Sequence, residues 1–334
     1  MRYIDKEKLK ILDETVALNY RLTHLYAALL ENCPCAITKE LMDELCSDGA
    51  ISKKDAIVAL LCEIFALDEK KAEDRRLIRD YIRPSVRLLD AKRYTENPYY
   101  KNVKVDGVCD GRWELKMESY PAYRAAICDD MIINSDHTEM PVLGFFDEEF
   151  SFLAVLEDGN EWMTLTPVDL DTSEEAIAAA RGKVVTFGLG LGYYAYMVSE
   201  KENVESITVI EKSPDVIRLF ERHVLPFFSH PEKVKIICAD AFEYAEREMP
   251  KEEYDYAFVD TWRDASDGAP MYKRMKPLEA KSPKTEFSYW IENFLISRIR
   301  SERYEKLWEA VEENAPDAPE SYEEFVKRLC EEVR

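Results

Sequence analysis

"VVTFGLGLGYYAYM", residues 184–197, decides how this chain is read. A short apolar run leads in and an aromatic-rich segment leads out. Between them Gly188, Gly190 and Gly192 fall as G-x-G-x-G. Glycine lets a backbone turn sharply and approach a ligand without side-chain collision. A dinucleotide binder spaces its glycines G-x-G-x-x-G and sets the third one in the helix over the pyrophosphate. Tyr193 stands at that position here. A tight turn alone would also use glycine, so the spacing is a weak signal until its surroundings are read.

Those surroundings alternate between two periodicities across residues 171–260. "DTSEEAIAAARG" opens with a capping-box pattern, Thr172 to Glu175, and closes at Gly182. "KVVTFG" is a short buried strand and the segment after Gly192 is helical. "ESITVIE", residues 205–211, is a second strand. "SPDVIRLFERHVL" starts a helix at Ser213 with Pro214 in its first position. "KVKIICAD", residues 233–240, is a third strand, and "YDYAFVD", residues 254–260, a fourth. Strands alternating with helices predict a parallel sheet covered on both faces.

Outward from this core, residues 1–95 read as an N-terminal helical domain, for instance over "LKILDETVALNYRLTHLYAALL" and "KKDAIVALLCEIFAL". Such a unit suits a cap or a dimerisation element. Residues 96–168 read as a β-rich segment, because "MPVLGFFDEEFSFLAVLEDGNEWMTLTPVDL" is rich in β-branched and aromatic residues. Residues 169–334 form the sheet domain with a helical C-terminal extension, and no fifth strand is expected beyond residue 262. The predicted fold class is α/β, a Rossmann-like, doubly wound, mostly parallel sheet.

The whole chain has 334 residues, 46% of them hydrophobic, and a net charge of −22. That charge disfavours nucleic acid and anionic membrane as partners. No stretch approaches the roughly 18 apolar residues of a membrane span. The charged start, "MRYIDKEKLKILDE", lacks a signal peptide's apolar core, so a cytoplasmic location is expected. The eight cysteines and four histidines show no metal spacing, and "CPC" at 33–35 has no matching second pair. No metal is expected.

In an open parallel sheet a ligand sits beyond the carboxyl ends of the strands. Three acids stand at three successive ends. Glu211 follows Gly188 by 23 residues and is suited to a ribose diol. Asp240, beside the Ala241 N–H and the Phe242 ring, is suited to an adenine edge. Asp260 closes the fourth strand. An acidic crevice without the dinucleotide spacing suits a nucleoside that bears a sulfonium and no phosphate, such as S-adenosylmethionine.

These motifs, "VVTFGLGLGYY", "ITVIEKSPDVIRLF", "IICADAFEY" and "YDYAFVDTW", resemble those of class I S-adenosylmethionine-dependent methyltransferases over about residues 171–262. The layout is also similar to spermidine synthase-like proteins. The resemblance implies Gly188, Gly190 and Gly192 around the methionine moiety and Glu211 at the ribose, with Leu189 and Lys212 beside them in the cofactor site. It implies Asp240 with Ala241 at the adenine and Asp260 as the catalytic carboxylate. Asp264 and Asp267 miss the aminopropyltransferase spacing. The expected activity is methyl transfer to a small-molecule or protein acceptor. An aminopropyltransferase and a non-catalytic binding or regulatory protein are the alternatives. Tyr193, Tyr194 and Trp262 are candidates to face the cation. Glu161, Trp162, Thr164 and Thr166 are candidates to line the cleft from the N-terminal side. The oligomeric state, a homodimer among the options, stays open.

Overall fold

The computed structural model describes residues 5–331. Residues 1–4, which begin the charged start of the chain, and residues 332–334, which end the expected C-terminal extension, lie outside them.

The first helix, Lys6–Asn32, begins at Asp5, whose carboxylate accepts the Glu7 and Lys8 N–H groups. Its Leu18, Leu22, Tyr26 and Leu29 recur at helical spacing and are all buried. They pack with Ile57 and Leu61 of the helix Lys53–Ile64 and with Leu143 and Phe145 of a small sheet. That sheet has an unexpected member. Strand β1, Val86–Leu89, lies within the stretch read as helix throughout.

Six strands follow: β2 Val108–Asp110, β3 Trp113–Tyr120, β4 Ala126–Ile133, β5 Glu139–Phe146, β6 Phe150–Glu157 and β7 Asn160–Thr164. They form two sheets, β1-β5-β4 and β2-β3-β6-β7. β1 runs parallel to β5, and the other pairs in these sheets are antiparallel. Every residue of β5 is buried, as expected for a central strand with elements packed on both faces.

The C-terminal half holds β8 Gly182–Phe187, β9 Val204–Glu211, β10 Val234–Cys238, β11 Tyr256–Val259 and β12 Glu286–Tyr289. They make one five-stranded sheet in the order β10-β9-β8-β11-β12, with every pair parallel. The chain is therefore α/β. The fifth strand, β12, corrects the expectation that none follows residue 262. Its four residues pair Glu286 with Tyr256 through Tyr289 with Val259, and the Trp290 N–H then donates to the Val259 carbonyl at 3.0 Å. The expected box from Thr172 to Glu175 is absent. The helix Glu174–Ala179 has no side-chain cap, and Thr166 and Asp169 instead form a reciprocal box at the helix Pro167–Asp171.

The C-terminal helix Glu292–Glu312 starts at Ile291, a left-handed residue with no capping side chain. Asp130 of β4 supplies that cap, accepting the Asn293 N–H at 2.9 Å and the Phe294 N–H at 3.0 Å. Leu9 and Leu12 of the first helix cluster with Tyr304, Phe325 and Leu329 near the other end of the chain. Among the described residues no helix is long and apolar enough to cross a membrane.

Candidate functional site

The strand order places β8 between β9 and β11: the chain steps outward from β8 through β9 to β10, then crosses back to β11 on the other side of β8. The crevice beyond the carboxyl ends opens at that reversal, and the glycine loop follows β8 there. Gly188, Gly190 and Gly192 all have positive φ, at 100°, 50° and 75°, which favours glycine at each. Their missing side chains face different neighbours. A Cβ on Gly188 would stand 1.8 Å from the Asp260 carbonyl oxygen, and one on Gly192 would stand 2.2 Å from the Phe220 ring. One on Gly190 would meet only the Met163 side chain, at 2.7 Å. Two of the three glycines thus serve packing of the protein against itself, and Gly190 is the one beneath a movable side chain.

Glu211, at the tip of β9, is buried and turned into this loop. Its Oε2 accepts the Leu189 N–H at 3.2 Å and its Oε1 accepts the Ser213 N–H at 2.8 Å. A carboxylate offers about four acceptor sites, so roughly two remain. Lys212 is exposed. Asp240 lies two residues beyond Cys238, the register partner of Glu211. Its Oδ1 caps the helix Ala241–Arg247 through the Phe242 and Glu243 N–H groups, both at 3.0 Å. Ala241 is half-buried. The Arg274 guanidinium sits 4.0 Å from the Phe242 ring centroid, so one face of that ring is already covered.

Asp260 follows β11, and its N–H donates to the Phe187 carbonyl at 2.8 Å. Among the described residues its carboxyl group has no hydrogen bond. Burial, followed by the nearby Asp169 and Glu211 carboxylates, pushes its pKa up to about 8. Asp169 is itself pushed up to about 6 by burial, although the Thr166 N–H and hydroxyl bond its Oδ2 at 2.8 and 2.9 Å. Asp260 and Asp169 line one small cavity with Gly188, Leu189, Met163 and Trp290. It encloses about 30 Å³.

The aromatic and N-terminal candidates divide. Tyr193 and Tyr194 both line the cavity. Tyr194 stacks on Phe258 at 4.3 Å, and its buried hydroxyl has no partner among the described residues. Trp262 does not line it; its indole N–H donates to the Trp290 carbonyl at 3.3 Å. In and just after β7 the faces run opposite to the expected assignment, because Trp162 is an extra residue in the pairing with β6. Met163 and Leu165 face the cavity. Trp162 instead meets Trp113 edge to face at 5.4 Å, and Glu161 is exposed. Thr166 serves the capping box. Asp264 and Asp267 likewise cap each other's turn at the start of the helix Ala265–Met275, which leaves neither as a free acid in the cleft.

Several contributors were not anticipated. Asp169 belongs to a readable [ST]-x-x-[DE] pattern at 166–169. Tyr99 is fully buried and its hydroxyl donates to the Leu191 carbonyl at 2.6 Å, pinning the glycine loop from the helix Pro98–Asn102. Asn97 similarly donates to the Tyr193 hydroxyl at 3.1 Å. Trp290 reaches the cavity through β12, the strand that sequence reading missed.

No family model and no curated protein matches the chain. Among solved structures, a precorrin 8W decarboxylase from Methanobacterium thermoautotrophicum aligns at 16% identity with a TM-score of 0.26. The alignment covers 35% of this chain and 61% of that one, so the chain spans less than two thirds of that neighbour's length. Likeness at this level leaves the family open.

Proposed function

We propose that the chain binds S-adenosylmethionine at the carboxyl edge of a Rossmann-like, doubly wound sheet and transfers its methyl group to a small-molecule or protein acceptor. The observation that carries this reading is Glu211. Its carboxylate is oriented by two backbone N–H groups, one of them from the glycine loop, and keeps acceptor sites for a ribose diol. In this reading Leu189, Gly190 and Lys212 flank the nucleoside, and Asp240 and Ala241 meet the adenine edge through the unused Asp240 oxygen.

The donor set suits a cation without phosphates. Among the described residues no base offsets the Asp169 and Glu211 carboxylates near Asp260, and a positive charge there would relieve the repulsion among the three. The bound cofactor would supply an electrophilic methyl group on a sulfonium. The chain's own tasks are to orient the nucleoside, to exclude water with Met163, Leu165 and Trp290, and to hold at Asp260 a carboxyl, protonated near neutrality without a ligand, whose proton a bound cation would drive off, leaving a carboxylate to take one from an acceptor. Space is the demanding term. The cavity of about 30 Å³ falls below the roughly 300–1,000 Å³ of small-molecule sites. Met163, whose thioether chain rotates readily, must leave Gly190 for a ligand to enter.

Calorimetry with S-adenosylhomocysteine, decarboxylated S-adenosylmethionine and NAD tests the proposal. Binding of S-adenosylhomocysteine that is lost in Glu211→Ala is the expected result. Preference for the decarboxylated compound would turn the reading towards aminopropyl transfer. NAD binding, or no binding at all, would overturn it.

A further inference from the structure

A second and larger cavity, of about 370 Å³, lies away from the glycine loop. The helices Lys6–Asn32 and Glu292–Glu312 form two walls, and the turn joining β4 to β5 forms a third. Its size falls within the range of small-molecule sites. Val16, Met131, Phe294 and Leu329 supply apolar surface.

The turn is held in a set shape. His137 takes a left-handed backbone, φ 68°, which costs a non-glycine residue energy unless its surroundings fix it. Asn19 of the first helix fixes it from both sides. Its Nδ2 donates to the His137 carbonyl at 2.9 Å, and its Oδ1 accepts the Glu139 N–H at 3.1 Å.

Arg300 carries the polar end of the cavity. Its side chain is 22% exposed. Among the described residues its only partner is Glu139 Oε1, reached by Nη1 at 3.3 Å. A guanidinium has five donors, so most of this fork has no protein partner among the described residues. Glu139 also lines the cavity, but both its oxygens are engaged, Oε1 by Arg300 and Oε2 by the Ser297 hydroxyl at 2.6 Å. Arg298 adds a second cation at the rim, 3.6 Å from Glu302. Burial and the Arg300 charge hold the His137 imidazole below its usual pKa, so it adds no charge of its own near neutrality. A planar fork beside an apolar hollow is matched by a planar bidentate acceptor on an apolar body.

We infer that this cavity binds an amphipathic monocarboxylate, its carboxylate on the Arg300 fork and its apolar body between the two helices. Nothing in this inference depends on the glycine-loop site.

Titration calorimetry of the full chain with octanoate, octan-1-ol and octylamine tests it. The expected result is one octanoate per chain, bound at least tenfold more tightly than either neutral or cationic analogue. Arg300→Met should weaken octanoate to the level of octanol and leave octanol unchanged. Because that change strands Glu139, the double variant Arg300→Met with Glu139→Gln is measured beside it and should show the same loss. Ser301→Trp, which fills the wall, should remove all binding while circular dichroism stays unchanged. Octanoate no tighter than octanol, a preference for octylamine, octanoate binding unmoved in either Arg300 variant, or no binding of any probe would overturn the inference.

Discussion

The Glu211 carboxylate, at the tip of β9, accepts the Leu189 N–H across 3.2 Å and so ties the second strand of the sheet to the glycine loop after the first. The same group holds the Ser213 N–H. Removing it in Glu211→Ala strands a buried donor, at a cost of about 1–3 kcal/mol. Glu211→Gln keeps one acceptor oxygen. Thermal unfolding should therefore order the three proteins as parent, Gln, Ala. S-adenosylhomocysteine binding should follow the same order, with at least a tenfold loss for Ala. Equal affinities in all three would remove Glu211 from the site.

The glycines rank by what stands opposite them. Gly188→Ala places a methyl 1.8 Å from the Asp260 carbonyl, a rigid backbone atom, at φ 100°. Backbone strain alone costs about 1–3 kcal/mol there, and the strands must also part. Gly190→Ala meets only a methionine end. We expect Gly188→Ala to lower Tm far more than Gly190→Ala, with a soluble yield that falls in step. A Gly190→Ala protein less stable than Gly188→Ala contradicts this packing.

The legible parts of the molecule were those written in local pattern. The strands β8 to β11 announce themselves because short apolar runs end at Gly188, Glu211, Asp240 and Asp260, and because Ser213 and Pro214 mark a helix start that the structure forms, with the Ser213 hydroxyl accepting the Val216 N–H. β12 did not, because "EFSY" is four residues long, carries a charge, and runs straight into the helical pattern of "IENFLISRIR". Its strand character comes from pairing along β11, a tertiary fact. β1 is the same case, four residues drawn into a sheet by β5, more than fifty positions away. At the site, the carboxyl ends could be read, but the parity of β7 could not. Whether Trp162 or Met163 faces the loop turns on a register irregularity in which Trp162 of β7 is the extra residue opposite Val155 and Leu156 of β6, which no alternation in the sequence records.

Asp260 gives a pH signature. Its folded pKa, about 8, stands above the roughly 3.9 of an unfolded aspartate. The folded chain then holds a proton that the unfolded chain has lost, so stability falls as pH rises from about 4 to about 8. Asp260→Asn removes that dependence. The Tm of the variant relative to the parent should increase between pH 4.5 and pH 8.5 in scanning calorimetry. A constant difference across that window would show that Asp260 is not enclosed as described.

Asp264 and Asp267 discriminate cap from catalyst. Asp264 accepts the Ser266 N–H at 2.7 Å, and Asp267 accepts the Asp264 N–H at 3.1 Å. Asp264→Ala should cost about 0.5–2 kcal/mol, the worth of an N-cap, read as a lower Tm. S-adenosylhomocysteine affinity should stay within twofold. A large loss of affinity with Tm unchanged would give this loop a direct part in binding.

Met163 decides whether the cleft can open. Its sulfur occupies the space over Gly190, and Leu165 and Trp290 close the remaining sides. A ligand that enters must first displace this side chain, so part of its binding energy is spent on the rearrangement. Met163→Ala removes that cost. The variant should lose about 1–2 kcal/mol of stability, less than the roughly 2–5 for a fully enclosed methionine, because Met163 is only partly buried. It should bind S-adenosylhomocysteine more tightly, with the gain in the association rate measured by stopped flow. Met163→Trp should act in the opposite sense, filling the space with a side chain that cannot fold away. If neither substitution moves the association rate, the ligand does not pass over Gly190, and Met163 is not the side chain that limits entry.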